Sequence, residues 1–455
     1  MEKTWEYSPV KGSYMETLIS FLCRLKYQQL KPEVIHQAKR CLLDWSGVTI
    51  GGLKDNASGI LINTIKCIGG NEQASIYGTS IKTSVYNAAL VHGAMSHVLD
   101  FDDTHLRALM HPSAPVIPAL LAYGEWKKIS GIELLLSLIV GIEAETRISI
   151  AMGESHYDRG WHSTATMGRF GSAAGVGKMI NLSPVLMSRA MGIAGTQSSG
   201  IRMVFGTMMK SFHPGKAAAD GLLAAILAKD GYTAPENILD GEKGLGAILS
   251  SDFDYDRAFK GLGHEYNIMG ISFKPYASCL YTHPLIYGII QLKKEHQIAP
   301  KDVKMIECHV SRFCYDAACK KNPRTGLEAK FSSYYCAAIA LLEGQAGNSL
   351  FQDNNVRNRN IKQYMGMIEV TLNHALSDSE AKISIHLNDG HSFTCHVEHP
   401  LGDPWNPLDD QTLEEKARDL MSLRISKKRI DQIVNMILDF ESIKDLSGFS
   451  KLFRK

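Results

Sequence analysis

The chain has 455 residues, of which 45% are hydrophobic and 21% charged, and its formal net charge at pH 7 is +2. This length is sufficient for two or three globular domains. The near balance of 49 basic and 47 acidic residues argues against a general electrostatic affinity for nucleic acid or anionic membranes, so we expect neither as a partner.

The N-terminal stretch MEKTWEYSPVKGSY lacks the apolar core of a secretory signal. The most apolar run, residues 134–142, is too short to span a bilayer and predicts a buried helix. The nine cysteines include no C-x-x-C pair, and the group Cys308, Cys314 and Cys319 matches no common zinc module. These features predict a cytoplasmic protein with reduced thiols.

Residues from about 12 to 265 are predicted to be mostly helical. Pro32, with an acid after it, indicates one helix start, and Ser113 begins another. Ser130 and the glutamate three residues later form a capping box before a third. The glycines of residues 168–177 are typical of close helix packing, because neither a Walker lysine nor a strand accompanies them.

The pattern changes after about residue 270. Alternating apolar and polar residues predict strands, and an Asn-Asp-Gly turn joins two of them in a hairpin. The predicted strands are residues 304–311, 367–372, 382–387 and 391–398. A helix is predicted near residues 332–342, and the helical period returns after Pro404.

The sequence therefore predicts a mainly α protein with two domains. A large all-helical domain would comprise residues 1–269 and 405–455, so both termini contribute to it. A smaller α+β domain, residues 270–404, would be inserted between these segments.

The segment from His92 to Pro118 crowds aspartates and histidines between two apolar stretches. Burying so many titratable groups beside a core is costly unless they pair or carry out chemistry. Three interpretations follow: a zinc or manganese site, a helix C-terminus with solvated acids, or a metal-free acid/base site. We favour the third; the metal interpretation would use ligands from Asp100, Asp102, Asp103, His105 and His111.

Three later segments add histidines and cations. WHST contains His162, and SFKPYASCLYTHP contains Lys274. KSFHPGK places Lys210, His213 and Lys216 just before a predicted small-residue helix, where cations suit an anionic ligand. Because no nucleotide loop and no G-x-S-x-G is present, these groups predict a small polyanionic substrate undergoing elimination, decarboxylation or isomerisation.

In these motifs the chain resembles the MmgE/PrpD family over nearly its whole length. The matching motifs are HGAMSHVLDFDDTH…HPSAPVIPALLA, GWHSTATMGRFGSAAGVGKMINL, KSFHPGKAAADGLLAAILAKDGYTAP, SFKPYASCLYTHP and FSSYYCAAIALLEG. The family includes cis-aconitate decarboxylase, 2-methylcitrate dehydratase and iminodisuccinate epimerase. The resemblance implies a helical domain with an α+β lid, a homodimer with its site between the two domains, and no metal or organic cofactor.

Carried over by motif, the resemblance implies catalytic roles for Asp100, His111, His162 and Lys210, and substrate-binding roles for Thr104, Lys274 and Tyr334. Supporting roles are left for Asp102, Asp103 and His105. The segment from Thr104 to His111 is one residue longer than the decarboxylase pattern, and His105 stands where that pattern has a tryptophan.

The expected function is a cofactor-free lyase acting on a small di- or tricarboxylate, with a cis-aconitate decarboxylase-like reaction favoured. The alternatives are a 2-methylcitrate dehydratase-like hydro-lyase, an iminodisuccinate-type epimerase and a non-catalytic carboxylate-binding protein. In the favoured mechanism Lys210 and Lys274, with Arg202, neutralise substrate carboxylates. His111 or His162 transfers the proton, and Asp100 sets the tautomer of a histidine.

Overall fold

The computed structural model describes residues 14–455, so the prediction that the first residues form no secretory signal lies outside its range. The chain divides into two compact units. The first comprises the residues up to Val98, Asp102–Ile271 and Asp410–Lys455. The second comprises Leu99–Phe101 and Ser272–Asp409.

The first unit is built almost entirely from helices. They are α1 (Tyr14–Arg24), α2 (Pro32–Gly52), α3 (Asn56–Ile68), α4 (Val85–His97), α5 (Ser113–Lys127), α6 (Gly131–Asp158), α7 (Ser163–Thr166), α8 (Gly168–Met179), α9 (Pro184–Gly195), α10 (Met209–Lys229), α11 (Leu245–Leu249), α12 (Tyr255–Phe259), α19 (Asp410–Ser422), α20 (Lys427–Leu438) and α21 (Leu446–Phe453). Two-residue strands are β1 (Ala74–Ser75), β2 (Lys82–Thr83), β3 (Thr104–His105) and, at the boundary of the units, β4 (Ile271–Ser272).

Local sequence signals explain where several of these helices begin. Pro32 occupies the first position of α2, and α5 begins at Ser113. Ser130 caps α6, because its side chain accepts from the Glu133 amide while the Glu133 carboxylate accepts from the Ser130 amide at 3.0 Å. These three predicted starts are confirmed.

Glycines allow the helices around the candidate site to approach closely. A Cβ added at Gly93 of α4 would lie 2.6 Å from the Gly215 Cα of α10. A Cβ at Gly171 of α8 would collide with the carboxylate of Glu145 on α6. The interpretation of residues 168–177 as a helix-packing segment is confirmed.

The predicted start of α10 is wrong. The helix begins at Met209, so Lys210, His213 and Lys216 lie within it rather than before it. Pro214 lacks the amide that would bond the carbonyl four residues earlier, at a typical cost of about 3 kcal/mol. Close packing of Gly215 against α4 offsets this cost. This packing joins segments far apart in the sequence, so the local sequence pattern does not predict it.

The C-terminal helices complete the first unit. A Cβ added at Gly47 of α2 would lie 2.7 Å from the Ala417 Cα of α19, so these helices are in close contact. The amphipathic helices α19 and α20 bury one apolar face each, which includes Leu413 and Ile433.

The second unit contains a four-stranded sheet and six helices. Its strands are β5 (Val303–Val310), β6 (Ile368–Leu372), β7 (Ala381–Leu387) and β8 (Ser392–Val397), and its helices are α13 (His283–Glu295), α14 (Arg312–Ala318), α15 (Gly326–Ala329), α16 (Ser333–Glu343), α17 (Asp353–Val356) and α18 (Arg359–Met365). The strand order is β6-β5-β7-β8. Strands β5 and β6 are parallel and the other pairs antiparallel.

The sheet follows the alternation in the sequence. Ile306, Cys308 and Val310 of β5 are buried, as expected for a half-buried strand. The predicted hairpin is formed by β7 and β8, and Gly390 in its turn has a φ of 93°. The strand and helix predictions for this part of the chain are confirmed.

The protein is 59% helical, with a smaller strand-containing unit, which confirms the predicted fold class. Within residues 14–455, no helix combines the length and apolar character needed to cross a membrane. All nine cysteines are free thiols.

Candidate active site

Four imidazoles form a row inside the first unit. His97 ends α4, His162 precedes α7 and His213 lies in α10, while His111 follows a loop. The ring centroid of His97 lies 4.4 Å from that of His111 and 6.2 Å from that of His162. The His162 and His213 rings are 5.2 Å apart, with their Nδ1 atoms at 2.9 Å.

One carboxylate anchors the end of this row. The Asp102 Oδ2 lies 2.8 Å from the His97 Nδ1 and 3.1 Å from the His111 Nδ1. An imidazole that donates its Nδ1 proton to a carboxylate presents Nε2 as a base. The structure therefore pairs these histidines with Asp102. The sequence had predicted only a supporting role for Asp102 and control of a histidine tautomer by Asp100.

Burial governs the protonation of this row. Burial alone would raise the pKa of Asp102, but His111 and His97 outweigh it and hold that pKa well below its usual value. Burial lowers the pKa of His97 to about 4, against the opposing effect of Asp102. Burial, followed by the charge of Lys210, lowers the pKa of His162 well below its usual value. At neutral pH, His97, His162 and His213 are thus uncharged and lie beside the Asp102 anion.

The lengthened segment before His111 folds into a tight hairpin. The His105 amide donates to the Met110 carbonyl at 2.8 Å, and Leu109 adopts a φ of 51° to close the turn. The Ser149 hydroxyl fixes the turn by donating to the Ala108 carbonyl at 2.6 Å. This turn brings the chain back, so that His111 lies beside Asp102.

Thr104 and Lys210 are the other candidate residues of the first unit. The Thr104 hydroxyl is buried and has no hydrogen-bond partner among residues 14–455. Lys210 is 6% exposed, and its Nζ lies 5.4 Å from the centroid of Phe205, which is edge-on to His162 at 5.0 Å. A hydroxyl with open hydrogen-bonding capacity and a buried cation both suit an anionic ligand.

In the second unit, Lys274 holds the short segment Leu99–Phe101. Its Nζ donates to the carbonyls of Asp100 at 2.9 Å and Ser278 at 3.1 Å, and it lies 3.3 Å from the Asp100 carboxylate. Lys330 donates to the Leu99 carbonyl. Asp100 has a φ of 49°, a left-handed conformation that aspartate tolerates better than most residues. A substrate carboxylate at Lys274 would have to replace one of these contacts.

Tyr334 and Arg202 occupy less central positions. Tyr334 is half-buried in the first turn of α16, and burial raises its pKa. The Arg202 guanidinium stacks on the Tyr157 ring at 3.7 Å and donates to the Tyr157 carbonyl at 2.9 Å. Arg202 is thus already engaged by its own unit.

Two further acids are buried in the first unit. Asp103 accepts from the Ser113 amide at 3.2 Å, and burial, followed by Asp44, raises its pKa to about 8. Glu145 is fully buried with no hydrogen-bond partner in the described part of the chain, and burial raises its pKa well above the usual value. Asp103 is therefore mostly protonated at neutral pH. Nothing in the helical pattern around Glu145 distinguishes it from a solvated glutamate.

The same row could hold a cation. Ligand atoms of His97, Asp102 and His111 lie within 4.8 Å of one another. Imidazole and carboxylate donors are those of zinc sites. The prediction of metal-free chemistry therefore stays a prediction.

His97 was not among the site residues predicted from the sequence. His97 lies at the end of α4, five residues before Asp102, and this short separation was a sequence signal for their contact. Nothing in the sequence indicated that the chain turns back there. The pairing of His213 with His162 also needed the tertiary structure, since 51 residues separate them.

A buried row of imidazoles with one carboxylate and a buried lysine is typical of a site for proton transfer to or from a small anion. The MmgE/PrpD N-terminal domain matches residues 16–258, and the MmgE/PrpD C-terminal domain matches residues 276–440. The chain belongs to the MmgE/PrpD family, which confirms the resemblance.

Several curated relatives match nearly the whole chain. Human cis-aconitate decarboxylase is 27% identical over 461 residues, covering 97% of this chain and 95% of that protein. Aspergillus terreus cis-aconitate decarboxylase is 25% identical over 484 residues, covering 99% and 98%. Escherichia coli K12 2-methylcitrate dehydratase is 23% identical over 407 residues, covering 80% and 81%. These similarities support the predicted lyase.

Proposed function

We propose that the protein is a lyase that decarboxylates a small polycarboxylate resembling cis-aconitate, by acid/base chemistry of its own side chains. The row of imidazoles beside Asp102 carries this proposal, because imidazoles are the side chains best suited to donate and accept protons near neutral pH. The full-length similarity to cis-aconitate decarboxylases supports this choice of reaction.

Each side chain has a defined part in the proposed mechanism. Lys210 and Lys274 neutralise substrate carboxylates, and Thr104 and Tyr334 bind the substrate through their hydroxyls. When the carbon–carbon bond to the leaving carboxylate breaks, CO2 departs and the electron pair stays on the substrate carbon. His111 or His162 then delivers a proton to that carbon, a contribution of typically 10²–10⁴ in rate. Asp100 positions Lys274, to which it is bonded.

A mass-spectrometric screen of the purified protein tests the proposal. Cis-aconitate, 2-methylcitrate and iminodisuccinate are incubated separately, and loss of CO2, loss of water or exchange of deuterium from solvent is followed. We expect CO2 release from cis-aconitate, absent in His111→Ala and in Lys210→Ala preparations with unchanged circular dichroism. Binding of polycarboxylates without turnover would instead favour a non-catalytic carboxylate-binding protein.

A dehydratase is the second candidate. The similarity to 2-methylcitrate dehydratase supports it, over 80% of this chain. In that reaction a histidine would first remove a proton from carbon, and water would leave. Loss of water from 2-methylcitrate without any release of CO2 would replace the first proposal by this one. Exchange of a substrate proton for deuterium, with no loss of CO2 or water, would instead indicate the epimerase alternative.

We also propose that the second unit acts as a lid and that the protein is a cytoplasmic homodimer. Family membership supports the lid and the dimer, and the nine free thiols support a reducing compartment. The lid proposal predicts that Tyr334→Phe raises KM with a much smaller effect on kcat, measured by initial rates. A reduced kcat at unchanged KM would contradict it, and light scattering in solution measures the oligomeric state.

A further inference from the structure

His213 forms a hydrogen bond that constrains the chemistry of His162. Their Nδ1 atoms are 2.9 Å apart, and both side chains are almost fully buried. A hydrogen bond between two imidazole nitrogens needs one proton, so one ring donates and the other accepts. Two neutral arrangements exist, and they give His162 opposite capabilities at Nε2.

The surroundings keep both rings uncharged. Burial, followed by His97, Arg169 and Lys210, lowers the pKa of His213 to about 4. His162 is buried and faces Lys210 as well. Each uncharged ring carries one N–H, and only one of these protons lies between the two Nδ1 atoms. The two arrangements are therefore tautomers rather than charge states.

We propose that His213 is a positioning residue that donates its Nδ1 proton to His162 and thereby holds His162 as the tautomer with a proton on Nε2. In this arrangement Nε2 of His162 is a proton donor, which the carbon left by departing CO2 requires. The reverse arrangement would leave a lone pair at Nε2, as removal of a substrate proton requires. This inference rests on the proposed decarboxylation, because the distance alone does not say which ring donates.

A cavity beside His213 makes the pair experimentally accessible. It has a volume of about 400 Å³, and its lining includes His213, Gly200 and Phe212. Exposed residues Gln197, Ser199 and Met209 also line it. A small molecule such as imidazole fits this volume, and it could replace the ring removed in a His213→Ala variant.

The kinetic test compares His213→Ala, His213→Asn and Ser199→Ala. Removing the donor in His213→Ala should reduce kcat on the order of 100-fold with little change in KM, because the tautomer of His162 is no longer set. Added imidazole should restore part of kcat, and His213→Asn should retain part of it, since its amide can donate to His162. Ser199→Ala, which lines the same cavity, should stay within twofold of the wild type.

A second measurement does not depend on turnover. Nitrogen-15 spectra of histidine-labelled protein, assigned with His162→Gln, report which ring nitrogen of His162 carries the proton. We expect protonation at Nε2 in the wild type and an altered pattern in His213→Ala. Protonation at Nδ1 in the wild type, or a pattern that is unchanged in His213→Ala, would overturn the inference. If no polycarboxylate is turned over, the proposed function fails, but these spectra still decide the role of His213.

Discussion

At the scale of single residues, the partners of a buried acid, rather than its burial, determine whether it is charged. Asp102 is held as an anion by two histidines, whereas the neighbouring Asp103 is held neutral by burial and by Asp44. The two aspartates are adjacent in sequence and equally buried. Their different environments, not their identities, therefore determine their charges.

The role of Asp102 predicts a large kinetic effect of its amide variant. Asp102→Asn keeps the shape but removes the charge that orients His97 and His111, so kcat should fall by about 10²–10⁴. The melting temperature should change little. Asp410→Asn, which removes a surface partner of His36 at 3.0 Å, is the matched control and should keep full activity. A kcat for Asp102→Asn within fivefold of the wild type would contradict this assignment.

Glu145 predicts a pH-dependent stability. Its pKa is raised on folding, so its favourable contribution is complete below about pH 4.3 and is lost as the pH rises towards the folded-state pKa. A single proton gives a slope of about 1.4 kcal/mol per pH unit over that range.

Glu145→Gln has no proton to lose, so its stability should decline less steeply above pH 5 than that of the wild type. Thermal melts between pH 5 and pH 9 measure the difference. Parallel pH profiles for the two proteins would show that Glu145 titrates normally, in disagreement with its burial.

At the scale of elements, the close crossing of α4 and α10 positions most of the site. α4 carries His97 at its end, and α10 carries Lys210 and His213. The crossing depends on Gly93 and Gly215, because a Cβ at Gly215 would collide with the Leu90 carbonyl. Backbone atoms cannot move aside as a side chain can, so a larger residue must separate the helices.

Gly215→Ala should therefore destabilise the protein by about 1–3 kcal/mol and reduce activity at the same time. Gly59→Ala is the control, since it lies in helix α3 with no atom within 4 Å of the added Cβ. That substitution should be neutral or stabilising, by up to about 1 kcal/mol. Urea unfolding followed by circular dichroism measures the free energy of unfolding of both variants. A Gly215→Ala protein as stable as the wild type would show that α4 and α10 tolerate separation.

At the scale of the whole molecule, the first unit is discontinuous in sequence. Residues 410–455 belong to the first unit, although they follow the second unit in the sequence. They contribute a set of buried apolar side chains, among them Leu413, Leu420, Ile433, Ile437, Leu446, Phe449 and Phe453. Each such side chain is worth about 1.5–3 kcal/mol when fully buried, so their sum is comparable with the total stability of a domain.

A chain truncated after residue 409 should therefore fail to form a packed first unit. We expect it to aggregate or to lose its near-ultraviolet circular dichroism while keeping part of its helical signal. Size-exclusion chromatography and near-ultraviolet spectra measure this. A monodisperse truncated protein with a native spectrum would show that the C-terminal helices are dispensable for folding.

Much of the fold was predictable, because the responsible signals are local. The capping box at Ser130, the proline at the start of α2 and the alternation in β5 each act within a few residues. The start of α10 was not predictable, because its stability around Pro214 comes from packing against α4.

The sequence by itself determined the family, the fold class and the candidate residues, since motifs and hydrophobic periods are properties of the chain alone. Only the tertiary structure decided which carboxylate pairs with His111 and His97, and that His213 contacts His162. His162 and His213, for example, are 51 residues apart, and this separation carries no information about the distance between their rings. Charges and protonation depend on those contacts, so the chemistry of the site became visible only when the chain was folded.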